Sequence, residues 1–191
     1  DDPDWLRFRL LGMTNPAYFA MWARRRIDLY GATTDDFAQV KIKNAAHGLH
    51  NPYARYRKEV TAADVAKSPT VSSPLRLLDI CATSDGGAAV VVASKAAAER
   101  IGGTPLGEIV GNGQVAGPDP SLLTQPSRAI LAALEQAGKS VSDVDLFELN
   151  EAFAAVGVAS MADLGVTDEV TNVNGGAISL GHPIGMSGTR I

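Results

Sequence analysis

The chain has 191 residues, 46% hydrophobic and 20% charged, enough to bury a core without disulfide or metal staples and unlike a disordered or collagen-like chain. Its 17 Lys and Arg against 21 Asp and Glu leave a formal charge of −4, the wrong sign for a general electrostatic grip on nucleic acid or an anionic membrane. The single cysteine, Cys81, excludes an intrachain disulfide framework and a cysteine zinc cluster, so a reducing, cytoplasmic setting and no metal site are expected. No apolar run reaches the roughly 18 residues of a membrane span, and the acidic start is unlike a signal peptide.

After a loop-like start, Asn15 and Pro16 read as the cap and first residue of a helix in which Phe19, Trp22, Ala23, Ile27 and Tyr30 recur at helical spacing as far as Gly31. Arg24, Arg25 and Arg26 splay over a wide arc of that helix and read as a solvated face rather than a phosphate site. Thr33 followed by Asp36 opens a second helix, with Phe37 and Val40 as anchors and Gly48 as its stop. Residues 49–60 are polar and broken by proline, hence a loop; Thr61–Lys67 is a short helical turn and Pro69–Pro74 an extended connector. Two apolar β-branched runs then flank the turn SDGG, and the unbroken run Ala88–Ala93 suits a strand covered on both faces. Ser94 caps a helix to about Ile101. The remainder alternates: strand Leu106–Val110, helix Arg128–Ala137, strand Asp145–Leu149, helix Glu151–Leu164 and strand Val170–Val173. This alternation predicts a layered α/β arrangement, with a boundary near residues 94–96.

Two segments carry more chemistry than scaffolding requires. In ELNEAFAAVG, Asn150 and Glu151 follow a strand and open a helix, where α/β proteins bind ligands. The amide can hold a water or substrate oxygen and the carboxylate can orient a neighbour; the plainer alternative is that Asn150 caps the helix and Glu151 favours its positive end. In NVNGGAISLGHPIGMSG, five glycines surround His182 and Pro183. Pro183 pushes His182 into an extended conformation, so an imidazole that titrates near neutrality is held by constrained backbone, fit to act as a general base or to polarise a carbonyl oxygen. The alternative is a tight turn with a surface histidine.

NEAFA at Asn150–Ala154 and NGGAISLGHPIGMSG at Asn174–Gly188 closely resemble the two downstream signature motifs of thiolases, the acetyl-CoA acetyltransferase family. Upstream, ARRRIDLYG, NPYARYRKEV and SPLRLLDICATSDGGAAVVVAS look most like the lipid-transfer-protein or sterol-carrier-protein-x branch, so two branch flavours meet near Lys95. The resemblance implies a thiolase-like layered α/β fold of αβαβα type, present in part: residues 1–70 as part of the loop domain, 71–95 as the closing segment of the N-terminal half, and 96–191 as a truncated C-terminal half.

By the same resemblance, His182 matches the histidine that activates the nucleophilic cysteine and contributes to the oxyanion hole. Asn150 matches the residue that holds a water in that hole, and Glu151 is its motif partner. The implied activity is acyl transfer through a cysteine acyl-enzyme, with coenzyme A as substrate or product and no covalent cofactor, in a homo-oligomer (dimer or tetramer) without nucleic-acid partner or membrane span. The family nucleophile lies upstream of these motifs and a second acid/base cysteine downstream of GHP, and neither is in this sequence. Cys81, with its apolar flank, reads as an inert buried thiol, so the chain by itself is expected to lack turnover. His47 and His50 are left outside the site. Two other functions compete: retro-aldol cleavage of steroid side-chain CoA thioesters, and a non-catalytic acyl-CoA or lipid-binding module.

Overall fold

Helix α7 (Ala154–Leu164), with the sequence AAVGVASMADL, is made of small and apolar residues and is buried on nearly every side, the pattern of a central helix. A computed structural model of the chain, describing residues 3–118 and 122–191, builds the rest around it. Residues 1–2 and 119–121 lie outside the described part. In chain order the elements are α1 (Pro3–Leu10), α2 (Asn15–Tyr30), α3 (Thr34–Gly48), α4 (Ala62–Lys67), strands β1 (Thr70–Ser72) and β2 (Leu75–Arg76), α5 (Lys95–Arg100), α6 (Gln125–Ala137), α7, α8 (Ala177–Leu180) and α9 (Ile184–Arg190).

The core joins Ala20 and Ala23 of α2, Phe37 and Val40 of α3 and Leu75 of β2 to Ala154, Ala155, Val156 and Ala159 of α7 and Ile178 of α8. Small residues on α7 let its neighbours come close: a Cβ at Gly157 would stand 3.4 Å from Val40. Phe19 of α2 stacks on Phe153 at 4.0 Å between centroids. Local signals hold where they rest on capping. Thr33 and Asp36 form a reciprocal capping box on α3, and Gly31, at φ 69°, ends α2 in the left-handed conformation.

The structure departs from the sequence-based elements in instructive places. Residues 3–10 form a helix where a loop was expected, and Thr14 rather than Asn15 occupies the cap of α2. Ala88–Ala93 and Leu106–Val110 are not strands: both runs are exposed, Val91 at 94% and Leu106 at 104%, and no ladder forms there. A buried strand exists only with neighbours that take its N–H and C=O groups, and none among the described residues does so. The strands expected at 145–149 and 170–173 shrink to one parallel bridge, Phe147 with Thr171. Helix 151–164 begins at Ala154, leaving residues 150–153 outside the helix, with Phe153 bridged to Ile80.

Helix α3 binds the segment 171–179 through a row of polar side chains. Lys41 Nζ donates to the Ile178 carbonyl at 2.9 Å, Lys43 Nζ to that of Thr171 at 3.3 Å, and His47 Nδ1 to that of Asn172 at 2.9 Å. Lys41 is 1% exposed and lies 4.7 Å from the centre of the Tyr56 ring. Burial, then the like charge of Lys58, lowers its ammonium to about 8 against the attraction of Glu151. Since the folded value lies below the ordinary 10.5, the unfolded chain holds the extra proton between those limits, so stability rises with pH across that window. Lys41→Met should remove this rise, which is on the order of 3 kcal/mol. Urea midpoints of the two proteins between pH 8 and pH 10.5 would check it; parallel curves would show that Lys41 is not buried as a charge.

Candidate active site

Glycine sets the entry of His182. Gly181, at φ 89°, closes α8, and a Cβ there would stand 2.3 Å from Ser84 Oγ, so only glycine turns the chain in this space. His182 then donates its backbone N–H to the Ala82 carbonyl at 3.1 Å, and Pro183 begins α9 in extended conformation. One turn into α9, Ser187, 1% exposed, places Oγ 2.7 Å from His182 Nδ1 and donates to the Pro183 carbonyl at 3.1 Å. A hydroxyl has one hydrogen; with it given to Pro183, Oγ accepts Nδ1–H and Nε2 is left as the free base. Asn150 Nδ2 completes the chain of donors, reaching Nε2 at 3.4 Å. Burial and then the charge of Arg190 hold the imidazole below its ordinary range, so it is neutral at pH 7. Arg190 itself is anchored by a bond of 2.8 Å to the Gly181 carbonyl.

Asn150 does not cap α7, because Phe153 holds that position; the capping alternative for Asn150 and Glu151 is thereby corrected. Asn150 is half-buried, and its Oδ1 is enclosed without a protein partner. Such an atom usually meets a water or ligand.

Glu151 is fully buried. Its Oε2 accepts from Asn44 Nδ2 at 2.6 Å and its Oε1 from Asn172 Nδ2 at 2.6 Å, with Lys43 Nζ 3.5 Å from Oε1. Burial pushes its carboxyl up, opposed by Lys43 and the amides of Asn44 and Asn172, so the group is both charge-paired and hydrogen-bonded, as a buried carboxylate must be. Asn172 also accepts from Leu149 N at 2.7 Å, and Gly176 leaves no room for a side chain, since a Cβ would stand 1.8 Å from Glu151 Oε2.

Of the three residues singled out in the sequence, His182 and Asn150 meet, while Glu151, next to Asn150 in sequence, turns into the core toward Asn44, Asn172 and Lys43. Ser187, Asn44, Lys43 and Asn172 were not singled out. Ser187 lay within the GHP motif five positions after His182, whereas Asn44 and Lys43 join the site only through the packing of α3. Cys81 is half-buried, and burial pushes its thiol up, the direction of an unreactive thiol. Its N–H donates to Ala152 at 3.3 Å, which ties it to the strip beside Asn150. Among the arginines, Arg24 bonds Ser73, Arg25 lies over Trp22 and Arg26 over Tyr30; His47 serves the α3 clamp and His50 is exposed. An open cleft of about 690 Å³, lined by Phe19, Val115, Leu122, Ala129 and Val156, reaches Asn150.

Residues 103–191 match the family described as thiolase, C-terminal domain. A probable acetyl-CoA acetyltransferase of Mycobacterium tuberculosis is 56% identical over 108 residues, covering 56% of this chain and 28% of that protein. A 3-ketoacyl-CoA thiolase of Cronobacter sakazakii is 37% identical over 198 residues, covering 96% of this chain and 51% of the relative. The acetyl-CoA acetyltransferase of Bacillus anthracis superposes with a TM-score of 0.77 at 31% identity, over 88% of this chain and 50% of that one. The chain thus spans between about a quarter and about half of these proteins' lengths, and its fold is the thiolase-type α/β fold in part. Residues 103–191 thus match the thiolase C-terminal domain, and the similarities and the shared fold extend the likeness to thiolases over most of the chain.

Proposed function

We propose that the chain carries the histidine and amide part of a thiolase active site, transferring acyl groups between coenzyme A and a cysteine in 3-oxoacyl-CoA thiolysis or acetyl-CoA condensation. The observation that supports this is the Asn150–His182 pair at 3.4 Å, with Ser187 on the far side of the ring. A cysteine from outside these 191 residues gives its proton to His182 Nε2, and the thiolate attacks the thioester carbonyl of acetyl-CoA in condensation or the 3-oxo carbonyl of 3-oxoacyl-CoA in thiolysis. The imidazolium N–H and a water held by Asn150 meet the oxyanion. Collapse leaves an S-acyl cysteine, expelling the CoA thiolate in condensation or, in thiolysis, breaking the C2–C3 bond to release the acetyl-CoA carbanion, which the second cysteine protonates. CoA thiolate, or the carbanion of acetyl-CoA formed when a second cysteine removes an α-proton, then takes the acyl group and restores the enzyme thiolate.

Glu151 serves by holding the peptide that carries Asn150, and coenzyme A is substrate, not resident cofactor. The division into loop-domain part, closing segment and C-terminal half at residues 70 and 95 belongs to the same proposal, as do a homo-oligomer and a cytoplasmic setting. The lone, half-buried cysteine fits a reducing compartment. Among the described residues no helix is long and apolar enough to cross a membrane.

Acetoacetyl-CoA thiolysis by the 191-residue chain should stay at background and be indifferent to Cys81→Ser; turnover abolished by that change would make Cys81 the nucleophile. In a protein that supplies the cysteine alongside these residues, His182→Ala should slow burst-phase acylation by a chromogenic thioester about 10²- to 10⁴-fold, the range of a general base. Asn150→Ala should be milder, about tenfold to a thousandfold, because its water can shift and still donate. Acylation at the wild-type rate in His182→Ala would sink the proposal.

The pH profile adds an independent check. The base works only unprotonated and its imidazole lies below the ordinary 6.5, so acylation should hold its rate as pH falls to that value and decline only below it. An acidic limb above it would contradict the buried, neutral ring.

A further inference from the structure

Asn44 is the side chain of α3 hydrogen-bonded both to Glu151, next in sequence to Asn150, and to Gly176, six positions before His182. Its Nδ2 donates at 2.6 Å to Oε2 of Glu151, the residue after Asn150, while its Oδ1 accepts the Gly176 N–H at 3.1 Å. Gly176 is the cap of α8, and its carbonyl accepts from Ser179 N and Leu180 N at 3.0 and 2.9 Å. The chain goes straight from that short helix through Gly181 to His182. Asn44 is fully buried and spends both ends of its amide on these two segments, which are separated from it by 107 and 132 positions in sequence.

We propose that Asn44 is a positioning residue for the acyl-transfer site, fixing the separation of Asn150 from His182 by clamping Glu151 and Gly176 to one rigid amide. The inference rests on the acyl-transfer reading for its purpose but not for its geometry. The other α3 contacts cannot replace it. Lys41 reaches Ile178 and the Tyr56 ring, His47 reaches Asn172, and Lys43 meets Glu151 and Thr171, none of them touching the Gly176 cap of α8. An amide is suited to the task because it offers a donor and an acceptor in one plane without adding charge beside a buried carboxylate. A lysine or aspartate there would supply one half and repel or crowd the other.

Without the clamp, α8 keeps its internal bonds and the Lys41–Ile178 contact but loses the tether at its Gly176 cap, and His182 can withdraw from Asn150 and meet water. The consequence is read on the ring, whose titration reports its burial and its amide neighbour. The experiment is a proton NMR titration of the three histidines in the intact chain, with His47 and His50 as internal references, alongside thermal unfolding. In Asn44→Ala the His182 pKa should climb toward the ordinary 6.5, with a larger share of the Nε2–H tautomer. Asn44→Ser, whose hydroxyl can serve Gly176 or Glu151 but not both, should give a smaller shift in the same direction.

A residue that merely fills the core would lower the unfolding midpoint and leave the His182 titration of the folded protein in place. That outcome in either variant overturns the proposal, and Asn44→Ser decides it if Asn44→Ala does not fold. Failure of the acyl-transfer reading is a separate event, seen in the acylation rate of His182→Ala, to which this titration is blind.

Discussion

A carboxylate removed from water must be paired or it unfolds its surroundings, and the fully buried Glu151 imposes that condition on the whole site. Two segments answer it, Lys43 and Asn44 from α3 and Asn172 from the turn after the Phe147–Thr171 bridge, while Gly176 leaves the room the carboxylate occupies. Truncating one partner of such a group typically costs about 3–5 kcal/mol, far more than an exposed ion pair contributes. The carboxylate therefore does not add much stability of its own. It selects one arrangement of α3, the NEAFA strip and the glycine-rich loop, because others leave a charge unsatisfied.

That selection is what the chemistry needs. Asn150 is the residue before Glu151, and His182 lies six positions after Gly176, so fixing the carboxylate fixes both ends of the pair. The ring is oriented again from its far side by Ser187, whose hydroxyl is tied to the carbonyl of Pro183. Two amides, a carboxylate and a hydroxyl thus leave one nitrogen free to take a proton. Partial burial keeps that nitrogen unprotonated at neutral pH. The same economy explains the glycines: Gly176 and Gly181 lie where a Cβ would strike Glu151 and Ser84, so they are close-approach positions rather than flexible linkers.

What could be read from the sequence was what short-range chemistry determines. The Thr33–Asp36 box, the Gly31 stop, the proline after His182 and the motifs around Asn150 and His182 each act within a few residues. The strands failed for the opposite reason. Val90, Val91 and Val92 have the composition of a buried strand, but a strand is a pairing, and the described residues hold no partner for it. Asn44 and Lys43 were invisible because their partners lie more than 100 positions away, and nothing in KIKNAAHG distinguishes them from an ordinary helix face. Ser187 was within reach, since a polar side chain a helical turn past a constrained histidine is a natural partner for its ring.

The account turns on which ring nitrogen of His182 carries the proton. Nitrogen-15 spectra of the chain with labelled histidine, at a pH about one unit above the ordinary 6.5, read this directly. Nδ1 should show the protonated, pyrrole-like shift, coupled to its hydrogen, and Nε2 the unprotonated one. A ring protonated at Nε2 would point its only free lone pair at Ser187 and leave no base beside Asn150, contradicting the site as built here.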